Sequence, residues 1–333
     1  MRPAESDHMK ILVTGGAGYV GSICVEHLLD SGIATVVVDN LSEGHRAAVD
    51  ERAAFHCLDL RDREPLLALM QNEKPDAVIH FAANAYVAES MRDPSTYFRN
   101  NVSHGIHLLD AMVATGVRKI VFSSTCAVYG LPLKIPIEER SETRPINPYG
   151  ESKLCFEKIL RWYAEIHGIV PLILRYFNAA GASERRGEDH REEPHLIPRV
   201  LQVALGQRKS VEVCGDGYAT SDGTAIRDYV HVRDLAAAHL AVLQREQPSL
   251  YNVGTGEGYS VLQVIETARE VTGCPIPHKL CPPRPGDPPR LVADVHKIRQ
   301  ELSWAPAHSR LSKIIESAWQ WHRTHPAGYP EHF

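Results

Sequence analysis

The chain has 333 residues, 44% of them hydrophobic and 23% charged, enough for one large or two ordinary domains around a substantial core. Its net charge of -5 comes with no basic run, which argues against nucleic acid as the main partner, and no apolar stretch reaches the length needed to span a bilayer. Residues 1–8 are polar, lack the apolar centre of a signal peptide, and read as an N-terminal extension ahead of Met9. The seven cysteines are odd in number, scattered and free of any C-x-x-C pair, a pattern of reduced thiols in a cytoplasmic protein. The eighteen histidines are equally dispersed, with no H-x-x-x-H spacing beside a carboxylate pattern, so no metal is expected.

Lys10–Thr14 is a short apolar run that predicts a strand. It leads into Gly15-Gly16-Ala17-Gly18-Tyr19-Val20-Gly21 and then a helical pattern over 22–30. Gly16, Gly18 and Gly21 fit G-x-G-x-x-G, and Gly15, Gly18 and Gly21 fit the related G-x-x-G-x-x-G spacing. Missing side chains let the backbone turn tightly and approach a pyrophosphate, which then sits at a helix N-terminus. A second strand over 35–38 ends at Asp39, eighteen residues after Gly21. An acid at that place accepts hydrogen bonds from the adenosine ribose hydroxyls and repels a 2′-phosphate, so the pattern predicts NAD rather than NADP.

The alternation continues. Residues 53–58 read as a strand delivering Asp59 and Leu60 toward the adenine, and 64–71 as a helix. The strand over 77–81 ends in Ala82-Ala83-Asn84, small enough to let a dinucleotide pass along the edge of a sheet. One long helix over 97–115 carries Asn100 and Asn101, and a strand over 120–123 delivers Ser124, Thr125 and Cys126 to the same edge. Regular β-α alternation predicts an α/β fold, a Rossmann-type doubly wound parallel sheet with right-handed crossovers.

Asn147-Pro148-Tyr149-Gly150-Glu151-Ser152-Lys153 opens the next helix, since proline suits a first turn. Tyr149 and Lys153 are four apart and share a face. A neighbouring ammonium favours the phenolate and brings a tyrosine toward the working range of a base, although an isolated Y-x-x-x-K is more often plain helix surface. Val170–Tyr176 predicts a strand, and 183–193 is charged and irregular. Further on come a helix over 195–205, a strand over 211–213, a Gly/Thr/Asp-rich segment over 215–228, a helix over 232–244 and a strand over 250–254. A proline-stiffened loop over 282–289 precedes helices from Asp294 and Leu311. Arg227 and Arg284 are the arginines expected on an anionic ligand, because guanidinium forks suit diphosphates; a surface salt bridge is the ordinary alternative for each.

These motifs, in this order, resemble the extended short-chain dehydrogenase/reductases, and among them the UDP-glucose 4-epimerases, over residues 9–333. The resemblance rests on residues 14–21, Asp39-Asn40-Leu41, His80-Phe81-Ala82-Ala83, Phe122-Ser123-Ser124-Thr125, residues 147–153 and Leu174-Arg175-Tyr176-Phe177-Asn178. It extends through residues 222–231, Tyr251-Asn252-Val253-Gly254-Thr255-Gly256, residues 284–287 and Trp319-Gln320-Trp321. It implies a tightly held NAD that is not consumed, with reversible oxidation at C4 of a UDP-hexose through a 4-keto sugar. Tyr149 would exchange the C4 hydroxyl proton, Lys153 would hold the nicotinamide ribose and lower the tyrosine pKa, and Thr125 would bridge sugar and phenol. By the same carry-over Gly15, Gly18, Tyr19, Val20, Gly21, Asp39, Asn40, Leu41, Ser42, Gly44, Asp59, Leu60, Phe81, Ala82, Ala83, Asn100, Ser123 and Phe177 would contact NAD. Asn178, Leu196, Arg227, Tyr229, Arg284 and Asp287 would hold UDP, with His195 standing where some members carry Asn and Leu291 lining the sugar pocket.

The implied domains are a mainly NAD-binding unit over 9–177, to which segments of about 226–256 return, and a mainly UDP-sugar-binding α/β unit over 178–333. Family members are often homodimers. A 4,6-dehydratase on the same scaffold needs an acid and a base directly after the active-site hydroxyl, where Cys126 and Ala127 supply neither. An epimerase of UDP-N-acetylhexosamines or UDP-uronates is a closer alternative, and a non-catalytic NAD-sensing regulator is one from another class.

Overall fold

The computed structural model describes residues 9–283 and 287–330. The N-terminal extension and Arg284 therefore lie outside the described residues. Six strands, β1 (Lys10–Thr14), β2 (Ala34–Asp39), β3 (Ala54–Cys57), β4 (Ala77–His80), β5 (Lys119–Thr125) and β6 (Val170–Tyr176), form one sheet with the strand Ser249–Val253. The order is Ser249–Val253, β6, β5, β4, β1, β2, β3, and every neighbouring pair is parallel. A parallel sheet needs cover on both faces, so its strands are apolar on both. In β1, Ile11 and Val13 enter one core and Leu12 the other; in β5, Val121 enters the first, and Ile120 and Phe122 the second. Helices Tyr19–Asp30 and Val232–Val242 cover the first face. Arg63–Glu73, Gly105–Thr115 and much of Pro148–His167 cover the second.

Strand order reverses between β1 and β4, and the crevice at the carboxyl ends of those strands is where such sheets take ligands. Beside it sits a second region made of small sheets. Asn178–Ala180 pairs with Tyr229–His231, Ile226–Arg227 lies between Tyr259–Ser260 and Arg290–Leu291, and Val211–Cys214 pairs with His278–Cys281. Helices Leu196–Ala204, Val261–Thr272 and Leu311–Thr324 give this region its own core, including Val200, Leu201, Ile265, Ile314 and Ile315. The chain nevertheless recrosses: Leu291, Ala293, Val295, Ile298 and Trp304 pack into the first core of the main sheet. Buried carboxylates fasten the recrossings. Asp228 accepts from the backbone N–H groups of Thr255, Gly256 and Ala293 at 2.8, 3.0 and 3.1 Å.

The expected helix over 97–115 differs. It starts at Pro94, where Asp93 caps the Thr96 N–H, and it passes through a π turn over Arg99–His104 before resuming at Gly105. The side chain of Asn101 explains the wider turn. It is drawn inward, accepting from the Asn84 N–H at 2.8 Å and donating to Ser152 Oγ at 3.0 Å. Extra-residue turns of this kind gather at ligand sites because they re-aim side chains without ending a helix. No helix among the described residues is long and apolar enough to cross a membrane.

Candidate active site

A cavity of about 730 Å³ opens along the carboxyl edge of the sheet and runs to the second region. Thr125, Tyr149 and Lys153 line it together. Asn147 caps the helix by accepting the Gly150 N–H at 2.8 Å, and Pro148 follows at the first helical position. A Cβ at Gly150 would lie 2.7 Å from the Ala127 carbonyl oxygen, so this glycine lets the helix start press against the turn that follows β5. The pleat of β5 sorts its hydroxyls. Ser123 and Thr125 line the cavity, while Ser124 between them turns away and donates to Glu157 at 2.5 Å.

Lys153 donates to the Ser123 carbonyl at 2.9 Å, and its ammonium lies 5.0 Å from the centre of the Phe122 ring. Behind it, Arg175 grips Glu157 through two bonds of 2.9 and 2.5 Å, fully inside the protein. Burial dominates the electrostatics. It pushes the Tyr149 phenol up to about 12, against the opposing hydrogen bond from Thr125. It brings Lys153 down to about 7, against the charge of Glu157. The expected lowering of the tyrosine by the lysine does not appear in this geometry, because removal from water penalises both charged forms and the ammonium is engaged by the Ser123 carbonyl.

Over residues 11–254 the sequence matches the model of the "NAD dependent epimerase/dehydratase family". The chain belongs to this epimerase/dehydratase family. It is 49% identical to the UDP-glucose 4-epimerase of Halalkalibacterium halodurans over 327 residues, 96% of this chain and 98% of that one. It is 50% identical to that of Streptococcus mutans over 331 residues, 97% of this chain and 99% of that one. The UDP-glucose 4-epimerase of Brucella ovis, solved in complex with NAD, superposes with a TM-score of 0.90 at 44% identity, covering 93% of this chain and 97% of that one. That of Bifidobacterium longum, in complex with NAD+ and UDP, gives 0.92 at 38% identity over 96% and 100%. These relatives identify the chain as one of the UDP-glucose 4-epimerases of the family, with NAD as cofactor.

The epimerase crevice fits a dinucleotide on its own geometry. Gly15 has φ +74°, and a Cβ there would lie 2.5 Å from the Ala82 nitrogen; one on Gly21 would lie 2.1 Å from the Gly15 oxygen. The fold itself demands those two glycines. Gly18 is different, because its nearest neighbour would be the Gly15 oxygen at 3.4 Å, and it lines the cavity. Its missing side chain leaves room for a ligand rather than for the protein. Gly18 also ends the Tyr19–Asp30 helix without a side-chain cap, so the N–H groups of that first turn are free for phosphate. Asp39 is fixed by the N–H groups of Ala17 and Leu41 at 3.0 and 2.8 Å. Asn40 donates to Asp59 at 2.9 Å.

Of the residues expected at the ligands, Gly15, Gly18, Tyr19, Val20, Gly21, Asp39, Asn40, Ser42, Gly44, Asp59, Leu60, Phe81, Ala82, Ala83, Asn100, Ser123 and Phe177 line the cavity. Asn178, His195, Arg227, Asp287 and Leu291 line it too. Arg227 and Asp287, expected on the phosphates and the uridine ribose, form an ion pair with each other. Three expected contacts stand off the wall: the Leu41 side chain packs on the first core, while Leu196 and Tyr229 pack into the core of the second region. Their apolar surface is taken up by those cores.

The cavity wall also contains Tyr86, Val87, Met91, Glu188 and His190, which the sequence reading did not pick out. The Tyr86 and Met91 segment carried no motif. Glu188, His190, Glu193 and His195 bring one ligating atom each to within 4.8 Å of one another, a grouping able to hold a cation. The four come from an irregular loop, whose E-x-H-x-x-E-x-H spacing follows neither helical nor zinc-finger periodicity.

Proposed function

We propose that this protein interconverts UDP-glucose and UDP-galactose by reversible oxidation at C4 with a resident NAD. The observation that carries the reading is that Thr125, Tyr149 and Lys153 line the same cavity as Arg227 and Asp287. Bound NAD supplies a hydride acceptor that returns the hydride to the carbon it came from. Tyr149 holds the proton of the C4 hydroxyl and gives it back, and Thr125 orients sugar oxygen and phenol. Lys153 positions the nicotinamide ribose and stabilises the phenolate once the ligands are in place. Arg227 and Asp287 part from each other to take the diphosphate and the uridine ribose. Firm nucleotide contacts with a looser sugar pocket suit a keto sugar that must present its other face without leaving.

The dehydratase reading has no chemical support. Burial pushes the Cys126 thiol up to about 12, and Ala127 carries no titratable group. For the domains, the two-region architecture supports an NAD-binding unit centred on 9–177 and a UDP-sugar-binding unit centred on 178–333. A cytoplasmic location is supported by seven free thiols. A homodimer packed through the outer faces of Gly105–Thr115 and Pro148–His167 would cover the exposed Val113, Trp162 and Ile166.

The test is direct. Purified protein, with no NAD added, should convert UDP-galactose to UDP-glucose, read by product analysis against UDP-N-acetylhexosamines and UDP-glucuronate. Protein that carries NAD yet leaves both UDP-hexoses unchanged would sink the proposal.

A further inference from the structure

Glu188, His190, Glu193 and His195 each bring one ligating atom to within 4.8 Å of the others on a single loop. Glu188 Oε1 lies 3.3 Å from His190 Nε2 and 2.8 Å from His195 Nδ1, and Glu193 Oε1 lies 3.0 Å from the same His195 nitrogen. A ring N–H carries one hydrogen, yet His195 Nδ1 faces two carboxylate oxygens, and Glu188 Oε1 faces two ring nitrogens. Four atoms around a tetrahedral zinc ion, with bonds of about 2.0–2.1 Å, sit about 3.3 Å apart. The three close separations, 2.8, 3.0 and 3.3 Å, and the 4.8 Å limit that encloses all four atoms leave an ion room to draw them to that spacing with small side-chain shifts.

A second observation concerns what stands behind the cluster. Tyr86 donates its hydroxyl hydrogen to Glu43 at 3.3 Å and faces His190 Nδ1 at 3.0 Å. With the tyrosine proton committed to Glu43, the phenol oxygen accepts from His190 Nδ1–H. The Nε2 lone pair is then left aimed at the cluster. That is the outer hydrogen bond by which a ligating histidine is held in the right tautomer.

We propose that Glu188, His190, Glu193 and His195 form a binding site for one transition-metal cation of zinc type, which fixes the loop as a wall of the substrate cavity. Two imidazoles with two carboxylates favour such an ion over magnesium or calcium, which take all-oxygen sets. The loop is already anchored at one end, where Arg186 reaches Glu26 and Asp50 at 2.9 and 3.1 Å, and it leads directly into the Leu196–Ala204 helix. A cation would anchor the other end. The ion takes no part in hydride or proton transfer.

The experiment uses full-length protein, stripped with a chelator, dialysed and titrated with Zn2+ in a calorimeter and with Co2+ in the visible spectrum. One equivalent should bind, and cobalt should give the intense absorption of a tetrahedral site. His190→Ala and Glu193→Gln should each abolish the cobalt band, while Tyr86→Phe should weaken affinity roughly 10–100-fold, as loss of an outer-shell partner does. Far-ultraviolet circular dichroism of each variant separates loss of the site from loss of the fold, and Glu193→Gln, nearly isosteric, keeps the test valid where the alanine variant misfolds. No stoichiometric binding to the wild type, or binding that survives both ligand substitutions, would overturn the proposal.

Discussion

The two sides of the cavity are built in opposite ways. The cofactor side is made of strand ends and glycine backbone from stretches contiguous in sequence, and its geometry is set by a close-packed parallel sheet. The substrate side is assembled from residues as distant as Asn178, Arg227 and Leu291, carried on strands of two or three residues and joined by ion pairs. A backbone-built wall admits few changes and treats all substrates alike. A side-chain-built wall can change what it accepts while its supports remain.

The largest effect belongs to the residue where the two sides meet. Tyr149→Phe removes the group proposed to exchange the proton, and kcat should fall roughly 10²–10⁴-fold, the usual weight of general acid–base catalysis. NAD content and KM should stay near wild type, because the ring and its packing remain. Steady-state kinetics on UDP-galactose checks this, and a kcat within a few-fold of wild type would move the role elsewhere.

Lys153 tests how much folding free energy the site gives up for function. Its folded pKa is brought down from 10.5 to about 7, chiefly by burial. Between those values the unfolded chain binds more protons than the folded one, so this group makes stability rise with pH across that window. At pH 7 and below its penalty is fully present, on the order of 3–5 kcal/mol by the size of the shift. Lys153→Met in cofactor-free protein should therefore raise Tm most at pH 6–7 and lose that advantage toward pH 10, while activity disappears. An advantage that does not shrink with rising pH would mean the ammonium is not the source of the cost.

The glycines divide the cofactor side itself. Gly21→Ala sets a methyl against the Gly15 oxygen at 2.1 Å, and the overpacked turn should cost about 1–3 kcal/mol or more. Gly18→Ala meets nothing closer than 3.4 Å, so the cofactor-free Tm should hold while NAD retention falls. Thermal melts paired with measurement of bound NAD distinguish the two. A common loss of Tm would show that both glycines serve the fold alone.

The same contrast accounts for what could be read from the sequence. The sheet, its order of elements and the cofactor crevice were legible because each strand is a short apolar run with its cavity-lining residue at the carboxyl end, as Asp39 ends β2 and Thr125 ends β5. Thr125 rather than Ser124 was the hydroxyl expected at the site, and the pleat shows the physical reason: Ser124 turns to Glu157 while Thr125 lines the cavity. The π turn at Arg99–His104 was invisible, since its cause is a hydrogen bond from Asn101 to Ser152, fifty-one positions away. Tyr86, His190 and the loop cluster were missed for a similar reason. Their neighbours are fixed by tertiary folding, and no local period marks them. Leu196 and Tyr229 show the other direction, because resemblance carries a position but not the way its side chain is packed, here in the core of the second region.

The smallest expected effect sharpens the comparison most, because it should change selectivity and leave chemistry alone. Leu291 pairs through its backbone with Arg227, is 8% exposed, and lines the cavity from the substrate side. Its backbone bonds persist in Leu291→Ser, so Arg227 should keep its place, while the shortened side chain opens space beside the sugar. A hydrophobic pocket discriminates by about 1–3 kcal/mol per methylene-sized change, so kcat/KM for UDP-N-acetylglucosamine relative to UDP-glucose should rise about tenfold or more. The lost packing in the first core should lower stability by about 2 kcal/mol. Two results would speak against this. An unchanged ratio with lowered Tm would make Leu291 a core residue that merely borders the cavity. An equal fall for both substrates would mean that Arg227 had shifted with its partner strand, and that the two sides of the cavity are less separable than their construction implies.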